Sequence, residues 1–250
     1  MQARLLFGMV AGLFCAPLLA AAPAAHHWSY EGNESPAHWG RLSSEYAVCA
    51  SGKNQSPVDL ASGIRTNSKS VAFQYAPQRY QVENNGHTIQ VTPTGAEQAL
   101  TIGGKRFALK QFHFHTPSEH TFKGRHFPME AHFVHQTAAG ELAVVAVVFK
   151  EGAANPALTP LLAKKLGKNQ SADLAQDLAI EPLFPAASTH FRLNGSLTTP
   201  PCSEGVNWVV LQTPVSASAA QIKTMATMIG HANNRPVQPL NSRIVIEEAK

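Results

Sequence analysis

Basic clusters are the first thing this chain lacks. Its 250 residues carry 20 Lys and Arg against 16 Asp and Glu, a formal charge of +4, and no run of cations exceeds Lys164–Lys165. A protein that tracks a phosphate backbone needs such a patch or stripe, so no nucleic-acid partner is expected and the charge serves solubility. Long apolar runs are missing as well. The longest stretch, Leu5 to Leu19, is short for a membrane span and has no stop-transfer charges behind it, so no stable membrane anchor is expected. There is no internal repeat, no low-complexity tract and no shift of composition that would mark a second domain. HExxH, the helical zinc-peptidase motif, does not occur.

Cysteine is scarce too, with only Cys15, Cys49 and Cys202. The first of these sits in a leader-like segment. Arg4 supplies a positive end, Leu5 to Leu19 an apolar middle, and Ala20 to Ala25 an alanine-rich stretch broken only by Pro23. That pattern reads as a secretory signal peptide, residues 1–24, cleaved after Ala24 with Ala22 as the rival site. Phe14 precedes Cys15 where a lipoprotein signal wants a small residue, which disfavours lipidation. Cleavage leaves Cys49 and Cys202, an even pair in an exported chain and therefore a disulfide candidate; two buried thiols are the alternative.

What is present suits one β-rich domain over residues 25–250, with 44% hydrophobic residues, 17 Gly and 17 Pro. Strand-like segments run Val71 to Tyr75, Tyr80 to Asn84, Thr88 to Thr92, Phe107 to His115, Glu130 to Gln136 and Leu142 to Lys150. Alternation in Phe107 to His115 predicts one face of Phe107, Leu109, Gln111, His113 and His115 and another of Ala108, Lys110, Phe112 and Phe114. Helical periods are weaker, at Pro156 to Leu166 and at Ala217 to Asn233, where Ile222, Met225, Ile229 and Ala232 form a core stripe. The expected fold is mainly β: a large, mostly antiparallel sheet with short peripheral helices.

The chemistry concentrates in QFHFH, Gln111 to His115, and in MEAHFVH, Met129 to His135. His113 and His115 are two apart, so their imidazoles leave one strand on one face, and the next strand can bring His132 to them. Three neutral imidazoles converging on one point leave a fourth tetrahedral position open, which is the pattern of a catalytic zinc. Glu130 shares a face with His132, and Gln111 with His113; each fits as the acceptor that fixes a ligand's second ring N–H. A hydroxyl donating to a buried carboxylate would orient a reactive oxygen; Thr198, in GSLTTPPC, and Glu119, in SEHT, fit that pattern. The rival is that Thr-Thr-Pro-Pro is only a rigid loop. His87, in NNGH, suits proton exchange near neutrality, although the motif also reads as a plain turn with an exposed histidine.

Together these motifs resemble the α-class carbonic anhydrases, most of all their exported bacterial branch. The resemblance runs from Trp28 to Arg243 and also takes in HHWSY, NQSPVDL, LAVVAVVF and NRPVQPLNSR. It implies a twisted sheet of about ten strands, and zinc-dependent, reversible hydration of carbon dioxide to bicarbonate and a proton. It implies that His113, His115 and His132 hold zinc, that Gln111, Glu130 and the Asn233 carbonyl orient them, and that Thr198 and Glu119 orient the hydroxide. His87 takes the place of the proton shuttle. Val134, Val144, Leu197, Val206 and Trp208 correspond to the apolar wall for carbon dioxide, and Thr199 to a bicarbonate contact. Tyr30, Asn85 and Gln90 align with the proton-transfer water network, where Gln90 departs from the usual Asn. Cys49 and Cys202 fall where exported members carry a disulfide. A periplasmic location follows from that branch, while the sequence leaves a homodimer open. His113, His115 and Glu119 also fit the HxHxxxE core of a cupin, but Gly104 and Gly124 are wrongly spaced for it and GSLTTPP is left unexplained.

Overall fold

Parity along the strands decides which residues meet, and in the computed structural model, which describes residues 27–187 and 189–249, the parity is broken once where it matters. The strand Lys105–His115 pairs antiparallel with Met129–Gln136, His113 opposite His132 and Phe112 opposite Phe133, but a bulge at Lys110 intervenes between Leu109 and Gln111. An extra residue inverts the alternation. Phe107 and Leu109 therefore join Phe112 and Phe114 in the main core instead of sharing the histidine face, which corrects the alternation read from the sequence. Strict two-residue parity holds only from Gln111 onward.

The sheet has twelve strands among the described residues, rather than about ten. Its main path runs Gln170–Asp173, Tyr80–Asn84, Ile89–Pro93, Lys105–His115, Met129–Gln136, Leu142–Glu151, Glu204–Ala217, His190–Ser196, Ile246–Glu248 and Ile64–Thr66. Val71–Gln74 and Ala99–Ile102 branch from the edge of Lys105–His115. Only the pairings of Leu142–Glu151 with Glu204–Ala217 and of Ile246–Glu248 with Ile64–Thr66 are parallel within it. The central strand Leu142–Glu151 is buried on both faces from Ala143 to Phe149, which is why LAVVAVVF shows no alternation.

Two apolar clusters lie on opposite faces. One contains Phe112, Phe114, Ala131 and Phe133; the other contains Val144, Val206, Trp208 and Val210 on the histidine side. The helices are short: single turns at Trp39–Leu42 and Val48–Ser51 near the N-terminus, then Leu158–Leu162 and Ala219–Ile229. Leu158–Leu162 stops well before Leu166 because Lys165 adopts φ +45°, a left-handed conformation that ends helical pairing. Ala219–Ile229 is bounded by a Ser218–Gln221 capping box and by Gly230 at φ +86°, so Ala232 falls outside it. Cys49 and Cys202 form a disulfide across 153 residues of chain, beside Trp39 and Tyr46. Among the described residues no helix is long and apolar enough to cross a membrane. The leader-like residues 1–24 lie outside the described residues.

Candidate metal centre and cleft

His113, His115 and His132 each present a ring nitrogen within 4.8 Å of the other two. Register produces this convergence: His113 stands opposite His132, and His115 opposite Glu130. The remaining ring nitrogen of each is already engaged. Nδ1 of His113 donates to Gln111 Oε1 at 2.8 Å, Nδ1 of His115 to the Asn233 carbonyl at 2.8 Å, and Nε2 of His132 to Glu130 Oε1 at 2.8 Å. Those bonds fix which nitrogen of each ring faces inward: Nε2, Nε2 and Nδ1.

The electrostatics favour neutral donors at His113 and His115. Burial, reinforced by the neighbouring His115 and His132, holds His113 well below the usual imidazole range. Burial also lowers His115, against the attraction of Glu119. His132 is raised, because the charge and hydrogen bond of Glu130 outweigh its burial. The inward nitrogen of His115 has no hydrogen-bond partner although it is fully buried. An orphaned buried nitrogen is expensive, and a cation there would satisfy it. The donor set of three imidazoles, each backed by a distinct acceptor, fits zinc.

His120, Glu130 and His132 form a second convergence. It is a hydrogen-bond knot rather than a metal cage. Glu130 accepts from the backbone N–H of Glu119 and of His120, from His120 Nδ1 and from His132 Nε2, all at 2.7–2.8 Å, which fills its lone pairs. Burial works to raise the Glu130 pKa, but the two histidines outweigh it and hold the carboxylate well below its ordinary range. His120 lies within the SEHT motif, yet nothing about its spacing pointed to this part.

Glu119 is fully buried beside the triad. Oε1 accepts the Arg235 backbone N–H at 2.8 Å; Oε2 has no hydrogen-bond partner and faces His115 Nε2 at 3.6 Å and His132 Nδ1 at 3.7 Å. Thr198 is buried nearby on the loop after His190–Ser196, and no hydrogen bond joins it to Glu119. The open carboxylate oxygen faces the imidazoles instead. The Thr198 loop is held at both ends, by Leu197 N–H to the Ser203 carbonyl at 3.0 Å and by the disulfide at Cys202. Gly195, just before it, must be glycine: a Cβ would lie 2.2 Å from Ser56 Oγ and 2.7 Å from the Trp208 ring. Arg235, which the sequence did not single out, donates to Gln55 Oε1 and to the carbonyls of Ser56 and Cys49, anchoring the residue that holds Glu119.

On one side of the triad the surface is apolar. Val134, Val144 and Trp208 stand in register across three adjacent strands, and with Val206 and Leu197 they belong to one cluster. The Trp208 ring centroid is 4.9 Å from that of His132. On the other side a cleft of about 130 Å³ is lined by Tyr30, Asn85, His87, Gln90, Gln111, His113, His115 and Thr199, together with Trp28 and Thr88. NNGH is indeed a turn: Asn85 Oδ1 accepts the N–H of His87 and of Thr88 at 3.0 Å, with Gly86 at φ +84°. Its histidine is nevertheless not loose on the surface. His87 stacks on Trp28, centroids 4.0 Å apart, half-buried at the cleft wall.

The wider comparisons agree with this geometry. The family model described as eukaryotic-type carbonic anhydrase matches residues 34–249. A carbonic anhydrase of Pectobacterium atrosepticum is 44% identical over 238 residues, 95% of this chain and 97% of that one. One from Neisseria gonorrhoeae is 45% identical over 242 residues, 94% of each. The α-carbonic anhydrase of Thermovibrio ammonificans, solved with sulfanilamide, superposes with a TM-score of 0.86 at 45% identity, covering 89% of this chain and all of that one. With likeness along nearly its whole length, the chain belongs to the eukaryotic-type, or α-class, carbonic anhydrase family.

Proposed function

We propose that this carbonic anhydrase works with a zinc ion held by His113, His115 and His132, and exports the reaction's proton through His87. The observation that carries the proposal is the three-histidine face in which every outward ring nitrogen has its own acceptor. Zinc bound there would acidify a coordinated water to near neutrality, an effect for which carbonic anhydrase is itself the standard example.

The chain's own residues do the rest. Gln111, the Asn233 carbonyl and Glu130 fix the tautomers, so no imidazole must reorganise during turnover. Val134, Val144, Leu197, Val206 and Trp208 offer carbon dioxide, small and uncharged, an apolar wall beside the nucleophile. In the working site Thr198 Oγ1 would accept a hydrogen bond from the attacking oxygen and donate one to Glu119 Oε2, the carboxylate oxygen that has no hydrogen-bond partner. This hydroxyl bridge orients a lone pair toward the carbon. Thr199 contacts the departing bicarbonate from the cleft wall. Tyr30, Asn85 and Gln90 border the path for water between the triad and His87. Burial and the charges of His27, His231 and Lys168 lower the His87 pKa, which favours prompt release of a proton once taken.

The reading extends to export. A disulfide suits an oxidising compartment, and with the leader-like residues 1–24 it supports a periplasmic enzyme.

Stopped-flow carbon dioxide hydration on the mature protein, before and after chelation, tests the core of this reading. Turnover abolished by chelation and restored by zinc is expected. A folded, zinc-loaded protein without turnover would overturn it.

A further inference from the structure

A second cavity, of about 220 Å³, adjoins the cleft and shares two of its walls, Tyr30 and His87. Its other side carries His231 and Lys168, with Glu31 and His27 at the margin. His231 directly follows Gly230, the residue that ends Ala219–Ile229, and its ring packs 5.6 Å from that of Tyr30. His87 therefore has one flank toward the metal face and the other toward a space that a second imidazole lines. A void of this size and polarity admits bridging water.

We propose that His231 is the second proton carrier, taking the proton from His87 and handing it to buffer at the surface. The inference rests on the reading of His87 as the shuttle. In the transfer, an N–H bond of the His87 imidazolium breaks and one forms on neutral His231, through water in the cavity. His87 returns to neutral, and a base in solution then removes the proton from His231. No electron is transferred and no co-reactant beyond that base is required.

The surroundings suit a carrier that does not retain its cargo. The charged and titratable groups facing His231 are Glu31, Lys168, His27, His87 and Tyr30. Burial and Lys168 lower its proton affinity, with Glu31 partly opposing them, and His87 is lowered in the same direction. Both imidazoles border one cavity and both are shifted toward giving up a proton, which suits transfer from one to the other and on to buffer. His27 also borders this cavity, 6.4 Å from His87 between centroids, but its Nδ1 is engaged with Glu34 Oε2 at 2.9 Å.

The test compares zinc-loaded wild type, His87→Ala, His231→Gln and the double variant in carbon dioxide hydration over a range of buffer concentrations. In His231→Gln, kcat should fall about threefold at low buffer, recover at high buffer and leave kcat/KM unchanged. The double variant should be no slower than His87→Ala, because the two act in series. If His87→Ala is impaired but His231→Gln is not, the second carrier is refuted and the shuttle stands. Additive losses refute the series order. If His87→Ala is itself unimpaired, the shuttle reading fails and this inference fails with it. An NMR titration of the His87 ring supplies a readout independent of turnover. Its pKa should rise in His231→Gln as the neighbouring charge is removed, and no shift would show that the rings do not sense each other.

Discussion

At the scale of single residues, the site is a set of atoms whose hydrogen-bond capacity is nearly all spoken for, so each substitution has a definite victim. Replacing His115 with Ala removes one of three donors and leaves the Asn233 carbonyl without its partner; zinc content measured by atomic absorption should fall well below one per chain. His87→Ala should lower kcat by roughly 10-fold or more while sparing kcat/KM, with free imidazole restoring part of the loss. Thr198→Val and Glu119→Gln probe the hydroxyl bridge. If the two residues act as one unit, each should reduce kcat/KM by roughly 100-fold, and the double variant hardly further. Independent, multiplicative losses would argue that Thr198 and Glu119 do not act together. The convergence of His113, His115 and His132, backed by Gln111 and Glu130, was legible in the sequence because the chemistry narrows the choice: imidazoles two apart on a strand, with a carboxylate and an amide on the same face. His120, Arg235 and His231 escaped notice because their partners lie in other segments, and spacing along one segment carries no trace of them.

At the scale of elements, the six strand-like segments read from the sequence all recur as strands, with ends shifted by at most a few residues. The longest strand, Glu204–Ala217, was not recognised, and neither was its partner His190–Ser196. Physical reasons are visible in both. Pro214 interrupts the former, tolerated because the register with Leu142–Glu151 slips between Val147 and Phe149 at that point. Gly195 weakens the latter as a strand former, yet the close approach of Ser56 and Trp208 demands it. Gly195→Ala should therefore destabilise by about 1–3 kcal/mol through overpacking, a loss to be read from denaturant midpoints. The strand Met129–Gln136 carries a further, pH-dependent contribution on its opposite face. His135, completely buried and hydrogen-bonded through Nε2 to the Tyr75 hydroxyl at 2.8 Å, has its pKa pushed down by burial to about 4. Because the folded value lies below the unfolded one, the contribution is intact above about pH 6.5 and disappears as pH falls toward 4, amounting to about 3 kcal/mol. Thermal melts between pH 7 and 4 should show a shallower acid decline in His135→Gln than in wild type.

At the scale of the whole molecule, the disulfide ties the short N-terminal helical region to the loop that bears Thr198 and Thr199. Closing 153 residues of chain contributes about 5 kcal/mol in the chain-entropy picture. Reduction should lower the melting temperature and the turnover together; a change in the first alone would show that the loop keeps its shape without the bond. The fold class was readable from composition and pattern, whereas the exact strand number was not, since short edge strands such as Ile246–Glu248 gain their status only from neighbours. The hydrogen bonds that reach back from Asn233 to His115, and from Arg235 to Glu119, span 118 and 116 residues. A polypeptide emerging in order from a ribosome thus has its histidines long before it has their supports. Until Asn233 and Arg235 arrive, His115 lacks its tautomer anchor and Glu119 its clamp, so the partial chain has imidazoles but no assembled centre.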